Sequence, residues 1–210
     1  PYAEKVSNYL VEVYMNTRSY EAALKSIERI AKPSAQIMEA KQKILFQLGT
    51  QSFANANFEQ ALQYLNQSIA IGQYNRQTKA DAYYWCGESY YRLNRMMEAA
   101  RDFNAYLQLT TQPNNEMYAL ANYNLGYIAF HRKDYTQASN YFQKYIQLEK
   151  GENRTALADA YNRIGDCHLN VRNFEEAKHY YSQAEQMITP SISWHWYPVY
   201  RKTIPAKSLF

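Results

Sequence analysis

An alanine recurs through this chain at positions 23, 61, 99, 138 and 177, at spacings of 38, 38, 39 and 39 residues. Twelve residues ahead of each of the last four stands a glycine, at 49, 87, 126 and 165. Self-similarity at a fixed period of this length constrains the fold more than any other feature. Each copy is one supersecondary unit that cannot bury its apolar face alone, so the copies must stack into an array. Val11 takes the glycine place in the first copy, the kind of divergence expected at the end of an array.

Around these markers the apolar residues keep helical spacing. Leu48, Cys86, Leu125 and Ile164 immediately precede the glycines, and Leu65, Phe103, Phe142 and Tyr181 follow the alanines by four. Such offsets give each copy two helices with one apolar face apiece. Glycine inside a helix costs about 1 kcal/mol relative to alanine, so its recurrence predicts a close helix crossing. With 6 Gly, 6 Pro and 47% hydrophobic residues in 210, the chain has few breakers and enough apolar side chains for a full core. A short polar turn joins the paired helices, reading NFEQA at 57–61, KDYTQA at 133–138 and NFEEA at 173–177. Asn57 with Gln60, Asp134 with Gln137, and Asn173 with Glu176 have capping-box spacing, which would fix the start of each second helix. Pro33, Pro113 and Pro190 fall where second helices are expected to end.

Gly87, Tyr90, Ala99 and Phe103, and likewise Gly165, His168, Ala177 and Tyr181, carry the pattern by which the sequence resembles tetratricopeptide repeats. The resemblance covers positions 2 to about 189. It implies an all-α, right-handed solenoid of five helix pairs, with first helices lining a concave inner surface and second helices outside. The expected organisation is a superhelical domain at 1–189, with repeats at about 2–32, 34–72, 76–111, 114–150 and 152–189, and an extended tail at 190–210. The family repeats every 34 residues or so; here the glycine-to-alanine interval stays at 12, and the extra length falls between each second helix and the next first helix. Lengthened repeats of this kind resemble those of bacterial envelope and outer-membrane assembly proteins. That likeness implies a bacterial periplasmic or envelope setting, with the cytoplasm as the alternative.

With glycine and alanine turned toward each other, the residues three before, one after and four after each glycine should face the inner groove. These are Phe46, Thr50 and Phe53, then Tyr84, Glu88 and Tyr91, then Tyr123, Tyr127 and Phe130, and lastly Asn162, Asp166 and Leu169. Phe46, Phe53, Tyr84, Glu88, Tyr91, Tyr123, Tyr127 and Phe130 are the expected partner-binding residues. Tyrosine offers large contact area with few rotatable bonds, which suits it to binding surfaces. The alternative is that these rings only pack successive first helices together. The carboxylate clamp found in this family needs lysine and asparagine at inner positions, where this chain has Phe46, Tyr84 and Tyr123, then Thr50, Glu88 and Tyr127. The expected ligand is therefore a protein or peptide segment with apolar or aromatic side chains.

Other chemistries lack their residues. Of 23 basic side chains, Arg201, Lys202 and Lys207 lie in the acid-free tail, which leaves 20 against 19 acids. A nearly neutral body has no electrostatic footprint for nucleic acid. No glycine-rich phosphate loop, serine elbow or apolar carboxylate pair is present, so no enzyme activity and no cofactor are expected. Cys86 and Cys167 lie two repeats apart, about four interhelix steps of 8–10 Å, beyond the roughly 7 Å reach of a disulfide. They should be buried free thiols. His168 and His179 sit on different helices of one pair, and no metal site is expected there. No run reaches the roughly 18 apolar residues of a membrane span, and the start at Pro1 without methionine suggests an excised or processed piece.

After Pro190 the repeat stops. The tail, SISWHWYPVYRKTIPAKSLF, would set Trp194, Trp196 and Tyr200 on one side if extended. Capping of the last helix pair, disorder and self-association through groove occupation all remain open. The leading function is a non-catalytic scaffold or adaptor. The alternatives are a structural spacer or self-association module, or a regulatory domain of a larger protein.

Overall fold

A computed structural model describes residues 5, 6, 9, 11 to 13, 16 to 151 and 153 to 188. The described residues between 5 and 16 are helical. After them come α1 (Tyr20–Glu28), α2 (Ala35–Ala54), α3 (Phe58–Ala70), α4 (Arg76–Arg92) and α5 (Met96–Leu109). The chain continues through α6 (Glu116–His131), α7 (Tyr135–Leu148), α8 (Arg154–Asn170) and α9 (Phe174–Ile188). Among the described residues there is no strand, and the architecture is an all-α solenoid of antiparallel helix pairs. Pro33 and Pro113 lie in connections between second and first helices, as expected. The expected cap, strand or groove occupation by Trp194, Trp196 and Tyr200, and the break at Pro190, lie outside the described residues.

Each pair closes on the small residues. Ala23, Ala61, Ala99 and Ala138 are fully buried and Ala177 nearly so. What faces each glycine is the bulky residue four positions after the alanine. A Cβ added at Gly49 would come within 2.5 Å of Leu65 Cγ, at Gly87 and Gly126 within 2.8 Å of the Phe103 and Phe142 rings, and at Gly165 within 2.6 Å of Tyr181. The glycines thus let a ring lie directly on helix backbone. Burial follows the array in three successive clusters, from Val11, Ala23 and Ile27 at one end, through Leu65, Tyr84, Phe103 and Tyr106, to Phe142, Tyr145 and Ile164 at the other.

The helix boundaries come from two devices. First helices are capped by side chains: Ser34, Asn75, Asn115 and Asn153 accept from the backbone N–H of Ile37, Thr78, Tyr118 and Ala156. Second helices follow a tight turn with one left-handed residue per repeat, at Arg18, Ala56, Asn94, Lys133 and Arg172, φ between 56° and 62°. At Ala56 the turn is closed by Ala56 N–H to Phe53 O and Asn57 N–H to Ser52 O, both 2.9 Å, a Schellman arrangement repeated after α4, α6 and α8. The capping boxes expected at the second helices are only partly present. Asp134 accepts from Gln137 N–H, but the Asn57 side chain makes no cap bond, because the Schellman turn already orders that backbone. Asn173 joins its turn through its own N–H to His168 O.

Candidate functional site

The first helices α2, α4, α6 and α8 are tied to one another by polar side chains across each junction. Between α2 and α4 the buried Gln42 amide donates to Asn75 O at 2.8 Å and accepts from Asn75 N–H at 2.9 Å. Ser68 Oγ of α3 donates to Gln42 O at 2.9 Å. Between α4 and α6, Glu88 Oε1 accepts from Asn124 Nδ2 at 2.5 Å and from Tyr84 OH at 3.2 Å. Between α6 and α8, Tyr123 OH donates to Asp159 Oδ2 at 2.7 Å, and Tyr127 OH donates to the same oxygen.

Arg163 completes the last junction. Its guanidinium meets Asp166 Oδ2 at 2.9 Å and Asp159 Oδ1 at 3.6 Å, and it lies over the Phe130 ring at 5.9 Å. Tyr181 OH of α9 donates to the other Asp166 oxygen at 2.7 Å. The electrostatics match this geometry. Burial and then the Asp159 carboxylate raise the phenol pKa of both Tyr123 and Tyr127, so both hydroxyls keep their protons and remain donors. Burial works against the charge on Arg163, but Asp166 and Asp159 outweigh it and raise its pKa. Burial raises the Glu88 carboxyl, against Arg92, Asn124 and Tyr84, which favour the ion.

The expected inner residues divide into two sets. Phe53 and Tyr84 are 6% and 4% exposed and therefore serve the core rather than an open surface. Phe53 packs edge-on against Phe58 and Trp85, and Tyr84 against Phe103 and Tyr106. Phe46, Glu88, Tyr91, Tyr123, Tyr127 and Phe130 are half-buried and keep part of their surface open. Tyr123 packs its ring at 5.1 Å from Tyr127 and 4.8 Å from Tyr145, so these residues join core and surface. Sequence reasoning missed Asp159, Asn124, Arg163 and Gln42, the groups that hold the inner helices together.

Cys86 and Cys167 are buried free thiols. Burial raises both, Cys167 to about 12, which leaves them unreactive as nucleophiles. His168 stacks on Tyr180 at 5.3 Å and His179 meets the same ring edge-on at 5.5 Å, so Tyr180 stands between the two histidines. Among the described residues no group of three or more His, Cys, Asp or Glu is arranged to hold a metal ion. Nor is any described helix long and apolar enough to cross a membrane.

Comparison with known proteins agrees with the architecture. Two tetratricopeptide-repeat family models match, over residues 46–116 and 116–189. No curated protein matches the sequence. Among solved structures, the MamA protein is 18% identical with a TM-score of 0.60, covering 88% of this chain and 91% of its own. BtubC (BKLC) from P. vanneervenii is 13% identical with a TM-score of 0.62, covering 90% of this chain and 84% of its own. YrrB, described as a TPR protein with an unusual peptide-binding site, is 15% identical with a TM-score of 0.60, covering 85% and 82%. At such identity these structures share the fold alone. The two family matches together span residues 46–189, and with the glycine–ring crossings repeated along the array they make the chain a tetratricopeptide-repeat protein.

Proposed function

We propose that this chain is a non-catalytic protein-interaction scaffold that holds a partner segment against the inner face of α4, α6 and α8. The observation that carries the reading is the fixation of Tyr123 and Tyr127 by one Asp159 oxygen. Half-exposed rings that are already ordered lose little side-chain freedom on binding, about 0.5–1.5 kcal/mol less for each side chain that need not be immobilised. Around them Phe46, Tyr91 and Phe130 offer ring surface, and Glu88 offers an acceptor. The partner segment presents apolar or aromatic side chains to these rings. Phe53 and Tyr84 support the face from beneath.

Affinity capture from the native source tests the reading, with a Tyr91→Ala, Tyr127→Ala, Phe130→Ala variant beside the unmodified chain. The variant should retain a cooperative melt and lose the captured protein. Equal capture by both chains would refute the inner face as the binding surface.

A further inference from the structure

The two ends of the array expose the kinds of position that its internal junctions cover. In repeats two to five, the first-helix residue five before the glycine is fully buried at Ile44, Ala82, Ala121 and Ala160. These residues share clusters with the preceding second helix, Ile44 with Ala23 and Ile27, and Ala160 with Phe142 and Tyr145. The same register in the first repeat is Val6, which is 50% exposed. Two after the glycine, Ser89, Ile128 and Cys167 are buried although Gln51 is exposed; the first repeat has Val13 there, 47% exposed.

The opposite end shows the complementary defect. Four after the glycine, Phe53 is buried and Tyr91 and Phe130 are half-buried, whereas Leu169 is 44% exposed. Three before the alanine, Phe58, Met96 and Tyr135 are half-buried, whereas Phe174 is 60% exposed. In two of the junctions, the residue two before the next glycine lies over these positions. Trp85 packs on Phe53 at 4.9 Å, and Arg163 lies over Phe130 at 5.9 Å. In the first repeat that register is Tyr9, 73% exposed with nothing of this chain to cover.

We infer that the chain associates head to tail. The N-terminal helix of a second copy docks on the α8–α9 face of the first, with Tyr9 over Leu169 and Phe174 in the place that Trp85 takes over Phe53. Val6 and Val13 then meet the last second helix as Ile44 and Ile128 meet theirs. The contact continues an interface that the chain already makes between its own repeats. It joins two different surfaces, so it leaves both outer ends free and generates an open series. It uses none of the inner-face residues, and its failure would leave the proposed scaffold function untouched.

Sedimentation equilibrium over a wide concentration range tests this directly. The weight-average mass should rise with concentration past twice the 24.7 kDa of one chain. Tyr9→Glu and Phe174→Glu, both at exposed positions, should each hold the mass at one chain without changing the melt. Mixed together they should form a complex of two chains and stop there, since each supplies the face that the other lacks. A mass that stays at one chain would overturn the inference, the face then being covered by residues 189–210 or left open. Growth that ends at two copies of the unmodified chain, or growth untouched by either substitution, would overturn it equally.

Discussion

Replacing Gly126 by alanine separates two effects that oppose each other. Alanine is favoured over glycine inside a helix by about 1 kcal/mol. At this site, however, the new Cβ would lie 2.8 Å from Cε1 of Phe142 and 2.9 Å from its Cδ1 and Cζ. The ring cannot move aside cheaply, because it is fully buried and packed edge-on by Tyr123 at 5.8 Å and Tyr127 at 5.3 Å. Overpacking of this kind costs about 1–3 kcal/mol, so Gly126→Ala should be neutral to destabilising by about 2 kcal/mol in the natural background. In a Phe142→Ala background the ring is gone and the same change should stabilise by about 1 kcal/mol. The difference is a coupling of about 1–3 kcal/mol, read from urea denaturation of the four chains followed by far-ultraviolet circular dichroism. Phe142→Ala itself should cost about 3–5 kcal/mol, so the cycle is best run in stabilising salt. If Gly126→Ala stabilises both backgrounds equally, the crossing is not in contact and the role assigned to the repeated glycines fails.

Three further outcomes follow from particular residues. Ala56 has φ 60°, a conformation that costs an L-residue about 1–2 kcal/mol and glycine almost nothing, so Ala56→Gly should raise the thermal midpoint even though it removes a side chain. Burial raises the Glu88 carboxyl above the usual 4.5, so the folded chain binds this proton more tightly than the unfolded chain. Stability from this group is therefore present at low pH and lost as pH rises from the ordinary glutamate value through the folded one. Glu88→Gln should raise the urea midpoint at neutral pH and flatten its fall across that window, while a steeper fall would reverse the assignment. Asp159→Ala should cost about 2–4 kcal/mol, since it strands two phenol donors and removes one of the two carboxylates facing Arg163. Hydrogen exchange should show the loss concentrated in α6 and α8, with α2 and α3 unchanged.

The glycine and alanine positions were legible because a close helix crossing admits only small residues, and the demand returns with every repeat. The caps were less legible for a specific reason. The pattern sought was a polar residue followed three positions later by Glu or Gln, yet Asn75, Asn115 and Asn153 are followed there by Thr78, Tyr118 and Ala156. Those asparagines cap first helices by a single bond each. The signal was present in another form, since each stands 11 or 12 residues before a repeat glycine. Phe53 and Tyr84 were assigned to the open groove because helical register fixes direction but not depth. Both face neighbouring helices, and only the placement of Trp85, Phe103 and Tyr106 decides that they are covered.

The lateral bonds between inner helices follow a rule that a periodic sequence can supply. Asn124 reaches Glu88 and Tyr123 reaches Asp159 across 36 residues, while Tyr127 reaches Asp159 across 32. Each is somewhat less than one repeat, because neighbouring first helices run parallel and are displaced along their axes. Donor and acceptor pairs spaced 32 to 36 residues apart on first helices could therefore be sought before any coordinates are known. Applied to recognition, the same bonds limit how a partner can use the tyrosines. A ligand that took the Tyr127 hydroxyl would have to break a bond to a charged acceptor, at a cost of about 1.5–3 kcal/mol, so the hydroxyls are already committed to Asp159. What stays available is the ring surface of Tyr91, Tyr127 and Phe130 beside the Glu88 carboxylate. Recognition on this face should accordingly depend on the shape and apolar content of the partner segment. Tyr127→Phe should weaken the α6–α8 junction in a melt and leave partner affinity nearly unchanged, whereas Tyr127→Ala should lower both.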